Sequence, residues 1–84
     1  MKNNTKETID NYVKHGYLPG GFVSAVLENN LMEAMARADI DNRMDIHEIT
    51  QYVYWEVPAV AWGSKEKVDA WLEAKKLERS AAQA

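Results

Sequence analysis

Eighty-four residues allow one domain with a single core, near the size at which a chain without disulfides or metals is marginally stable. The chain has no cysteine, which excludes disulfides and thiolate metal sites. Ten basic and thirteen acidic side chains are interspersed, for a net charge of −3, so there is no basic footprint for duplex nucleic acid and no dense acidity to mimic it.

MKNNTKETID at the start carries no apolar run after its Lys, and no later stretch approaches the ~18 apolar residues of a membrane span. A soluble, cytoplasmic protein is expected. Asn3-Asn4-Thr5 matches a glycosylation sequon and, without a secretory signal, is read as chance.

The first helix is expected to start at Asn4 or Thr5, with Glu7 completing a capping box with Asn4. Ile9, Tyr12 and Val13 give its apolar stripe and Gly16 its end. Tyr17-Leu18-Pro19-Gly20-Gly21 is the strongest loop signal, and a helix should restart directly after it. Phe22, Val23, Val26 and Leu27 form one stripe; Leu31, Ala34, Met35 and Ala38 form a second, rotated by about 100°. A straight helix cannot bury both against one surface, so a break is placed at Asn29-Asn30.

Arg37 to Asn42 reads as a polar connection in which Asp41 caps a long helix running to Val57, where Pro58 stops it. Ile46, Ile49, Val53 and Val57 fall within a sector of about 80° on that helix, with Met44 and Trp55 almost opposite. Ala59 to Trp62 is an apolar linker. Ser64 caps the last helix, with Glu66 in its first turn and Val68, Trp71 and Leu72 on its inner side, ending near Arg79. The fold expected is all-α, a compact bundle of four or five short helices over residues 1–79, with 80–84 a disordered tail.

Chemical motifs are sparse. His47-Glu48-Ile49-Thr50-Gln51 lacks the second His of a zinc-protease helix. Asp39, Asp41 and Asp45 have the spacing of a calcium loop, but Arg43, Met44 and Thr50 occupy positions that need an oxygen ligand, a Gly and a Glu. Ser24, Ser64 and Ser80 have no neighbouring base. No catalytic residue, metal site or cofactor is therefore assigned.

Binding is the better reading. Tyr52, Tyr54, Trp55 and Trp62 lie within eleven positions, and such side chains favour interfaces because they bury large area at little entropic cost. Two accounts of Trp55 stay open: the helix is central and wrapped on both faces, or Trp55 and Met44 lie on an exposed surface for a partner or a second copy. Arg37 and Arg43 bracket the acidic turn, where pairing with Asp39, Asp41 or Asp45 competes with recognition of an anion. Gly20 and Gly21 offer backbone N–H groups at a helix start, but neither phosphate-loop pattern accompanies them.

The runs Pro19-Gly20-Gly21-Phe22, Ala25-Val26-Leu27-Glu28-Asn29, Arg37-Ala38-Asp39, Asn42-Arg43, Gln51-Tyr52-Val53-Tyr54, Pro58, Trp62-Gly63-Ser64 and Trp71-Leu72 resemble a family of small uncharacterised proteins encoded by bacteriophages and prophages, over roughly residues 9–73. The resemblance implies an accessory protein in the cytoplasm of an infected bacterium, acting on a host system; it brings no catalytic residue. The expected function is non-enzymatic: docking on a host defence component through the aromatic surface and neutralising it. The alternative is an oligomeric sponge that holds a small anionic ligand, such as a nucleotide immune signal, with Tyr, Arg and the Gly20-Gly21 backbone. A helix-turn-helix regulator is a third class, disfavoured by the absence of a basic recognition helix.

Overall fold

Each helix of the computed structural model, which describes residues 1–83, begins or ends on a local backbone device. Among the described residues there are six α-helices and no strand: α1 Asn3–His15, α2 Gly21–Leu27, α3 Leu31–Arg37, α4 Ile40–Met44, α5 Ile46–Glu56 and α6 Lys65–Gln83, with a single 3-10 turn at Ala59–Ala61 between α5 and α6. The bundle is elongated, 43 × 24 × 21 Å, with a radius of gyration of 12.7 Å. No helix among the described residues is long and apolar enough to cross a membrane.

Gly16 closes α1 in the left-handed region, φ 68°, with its N–H donating to the Tyr12 carbonyl. The expected break at Asn29-Asn30 forms as a Schellman motif. Asn29 takes φ 62° and donates to the Val26 carbonyl at 3.1 Å, while Asn30 donates to Ala25 at 2.9 Å. Asn30 then caps α3, its side chain accepting from the Glu33 N–H at 3.2 Å. Two adjacent Asn residues thus end one helix and begin the next. Ser64 caps α6 through the Lys67 N–H, as its sequence setting indicates.

Four boundaries differ from expectation. α1 begins at Asn3 after Lys2, with no side-chain cap, because Thr5 is buried and its hydroxyl turns toward Asn42 Oδ1 at 3.3 Å. The cap of the next acidic segment is Asp39, not Asp41: its carboxylate accepts from the Asn42 N–H at 2.8 Å, leaving Asp41 in the first turn, where the helix dipole favours it. The long helix expected from Asp41 is divided at Asp45, whose ψ of 8° leaves the helical range, so α4 and α5 are separate and the bundle has six helices rather than four or five. The tail expected from Ser80 is helical through Gln83, a run of helix-favouring residues continuing from Arg79; residue 84 lies outside the described residues.

The core gathers one face of every helix except α4. Ile9 and Tyr12 from α1, Phe22, Val23, Ala25 and Leu27 from α2, Ala34 from α3, Ile49 and Val53 from α5, and Val68 from α6 are buried, with Val57 and Ala61 between α5 and α6. Tyr12 ties three segments together. Its hydroxyl donates to the Ala61 carbonyl at 2.7 Å, and its own carbonyl accepts from Trp71 Nε1 at 3.0 Å. Burial pushes its phenol far above the ordinary value, so it serves as a neutral donor. At the other end α6 crosses α1 closely at Gly16, where a Cβ would lie 2.2 Å from Lys75 Cβ.

Candidate partner-binding surface

The helix α5 turns Ile49 and Val53 into the core, and the rest of its circumference follows from 100° per residue. Tyr52 lies on one flank and donates to the Asp10 carboxylate of α1, with Lys6 Nζ 5.5 Å from its ring centroid. Burial and the Asp10 carboxylate raise its pKa. Tyr54 lies on the other flank, 58% exposed. Trp55 points away from the core and is 74% exposed, so it is not part of the core formed by the described residues. Its ring meets Tyr54 edge-on at 4.9 Å, and Tyr54 in turn lies 5.9 Å from Trp62. Trp55, Tyr54 and Trp62 therefore form a continuous aromatic line from solvent to the bundle interior.

That line borders an apolar groove of about 210 Å³ between α5 and the α2–α3 corner. Val26, Leu31 and Ala34 form one wall and Ile46, Val53 and Tyr54 the other, with Trp62 joining them. Its polar members are largely occupied: Asn30 caps α3, and the Thr50 hydroxyl donates to the Ile46 carbonyl at 2.7 Å. The Trp62 Nε1–H is buried with no acceptor among the described residues. The groove is thus an apolar slot with few polar demands of its own. Leu31, expected on a buried stripe, is 64% exposed at its rim, because the Schellman turn rotates α3 and leaves only Ala34 fully inside.

The other candidates are dispersed. Met44 is 81% exposed but sits on α4, outside the groove lining. Arg37 pairs with Glu33 at 2.5 Å, and its side chain lies over Gly21, whose Cβ would be 2.9 Å from the guanidinium. Arg43 is exposed and makes no ion pair among the described residues. The expected pairing of these two Arg with the acidic turn does not form, because Lys2 takes Asp39 at 2.8 Å and Asp41 at 3.7 Å, and the Met1 amine takes Asp45 at 3.7 Å and also Glu48. Gly20 and Gly21 line a separate cleft that includes Lys2 and Asp39 but none of the aromatic line.

Protein-family models, curated proteins and solved structures were compared with this chain, and none matches. The functional reading therefore stands on the surface itself. No group of three or more His, Asp or Glu among the described residues is placed to hold a metal. The sequence could have flagged the groove through the rotated second stripe of Leu31, Ala34 and Met35, which needed a surface the first stripe did not supply. Its polar rim at Asn29 and Thr50 carried no signal.

Proposed function

We propose that this chain is a binding protein that docks on another protein through the Trp55–Tyr54 edge of α5 and the groove beside it, and blocks that partner by occupying its surface. The exposure of Trp55 carries the reading. An indole in water beside a second exposed ring and an open apolar slot is the arrangement from which interface anchors are drawn: large area, few rotamers, and a polar N–H for the rim. In the phage setting that the family resemblance implies, the partner is a component of the host, a defence protein first among them. The reading is non-enzymatic, since affinity alone does the work. Sequestration of a small anion draws less support, because Arg37 is spent on Glu33 and the Gly20-Gly21 cleft contains Asp39.

The test is capture from bacterial cells that express a tagged chain, with quantitative mass spectrometry, then reconstitution with the purified captured protein. Trp55→Ala should abolish a stoichiometric complex that the wild type forms. Leu18→Ala, an exposed apolar residue outside the groove lining, should keep it. Equal complex formation by both variants, or no stoichiometric complex with the wild type, sinks the reading.

A further inference from the structure

We infer that the Trp55 surface receives a cationic, amphipathic segment of its partner, an apolar side chain entering the groove and a Lys or Arg side chain lying on the Trp55 indole beside Glu48 and Glu56. This rests on the docking reading above and adds the chemistry of the occupant. The fold builds the corresponding unit twice for itself. Lys75 Nζ lies 5.0 Å from the Trp71 ring and 3.2 Å from the Glu78 carboxylate. Lys6 Nζ lies 5.5 Å from the Tyr52 ring and 3.0 Å from Asp10. In each case an ammonium sits between the face of an aromatic ring and a carboxylate, attracted by the ring quadrupole and by charge together.

At Trp55 the ring and the carboxylates are present and no cation from the described residues lies on the ring. Glu48, Glu56 and Trp55 line one shallow cleft with Tyr52. Glu56 makes no ion pair among the described residues, and Glu48 shares the single Met1 amine with Asp45. Around this cleft three carboxylates (Asp45, Glu48, Glu56) meet one cation, the Met1 amine, which lines the cleft and pairs with the first two. Excess negative charge around an exposed apolar anchor selects a partner of opposite charge and repels an acidic one. It also disfavours a second copy in two-fold contact, which would set Glu48 and Glu56 against themselves.

The probes are two synthetic helical peptides with the same Leu spacing, one carrying Lys and the other Glu at its polar positions, titrated into the full chain by calorimetry with helical circular dichroism as the folding check. The Lys peptide should bind, the Glu peptide should not. Affinity for the Lys peptide should fall about ten-fold or more in Trp55→Ala and in the Glu48→Gln, Glu56→Gln double variant, and should weaken between about 50 and 500 mM salt. An equal charge change on α6, Glu66→Gln with Glu73→Gln, should leave it unaltered. Equal affinity for both peptides, binding of neither, or equal weakening by the two double variants overturns the proposal. Should the partner captured from cells depend on Trp55 but not on Glu48 and Glu56, docking stands and the cationic occupant falls. A concentration-dependent dimer seen by light scattering and lost in Trp55→Ala would assign the surface to a second copy instead.

Discussion

The Tyr12 hydroxyl donates a 2.7 Å hydrogen bond to the Ala61 carbonyl across the core, joining the last turn of α1 to the turn that leads into α6. That turn carries no regular helix to satisfy its carbonyls, so the bond stands in for a ladder partner. Tyr12→Phe keeps the ring and leaves the Ala61 oxygen buried without its donor, a loss of about 1–3 kcal/mol. Denaturant unfolding followed by circular dichroism measures it. Trp62→Phe is the counterpart: its indole N–H has no acceptor to lose, so its cost should stay within about 1 kcal/mol and below that of Tyr12→Phe.

Gly16 is held by two constraints at once. Its φ of 68° strains any L side chain, and a Cβ there meets Lys75 Cβ at 2.2 Å, where α6 crosses. The strain alone costs about 1–3 kcal/mol, and moving α6 adds to it, so Gly16→Ala should lower the unfolding temperature more than Asn29→Ala, which carries a similar φ of 62° at the end of α2. Asn29→Gly should stabilise slightly, since Gly adopts this geometry without penalty. Thermal scans of the three variants check the order.

The devices that were legible in the sequence are those that act within four or five residues: the Gly16 stop, the Pro19-Gly20-Gly21 loop, the Asn29-Asn30 break, the Pro58 stop and the Ser64 cap. Each depends on the backbone chemistry of its own residues. What escaped depends on distant partners. Thr5 has the chemistry of a cap but is drawn into contact with Asn42, 37 positions away. The division at Asp45 involves no Gly or Pro and follows from how α4 lies outside the core while α5 enters it. For the binding surface, the aromatic cluster was visible as composition, but which ring faces solvent depended on what the other helices could cover. A helix with apolar residues on two sides is equally consistent with a central position and with an exposed edge.

Asp39 gives a pH signature. Its carboxylate is held below the usual range, first by the Lys2 ammonium and then by the Asn42 N–H. A carboxylate lowered on folding contributes stability that is present above its unfolded value and lost as pH falls through the folded one. The wild type should therefore lose thermal stability as pH drops below about 4. Asp39→Asn retains an N-cap but does not titrate, so its unfolding temperature should fall less steeply over the same acid range. Parallel melting curves from neutral pH to about pH 2 test this, and identical slopes would remove Asp39 as a contributor.

The distinction between core and surface on α5 is the most consequential prediction for function. Ile49 is fully buried, and Ile49→Ala should cost about 2–5 kcal/mol through lost transfer energy and the cavity left behind. Trp55→Ala, six residues further on, should change stability by no more than about 0.5 kcal/mol, because the indole is mostly in water and its one ring neighbour among the described residues, Tyr54, is itself exposed. Tryptophan emission offers a second measurement on the same chain. Trp62 and Trp71 are partly enclosed, so the wild type should contain one population readily quenched by acrylamide, absent in Trp55→Ala. A large stability loss in Trp55→Ala would mean that the indole belongs to the packing of the bundle, and the aromatic line would then be a structural seam rather than a docking edge.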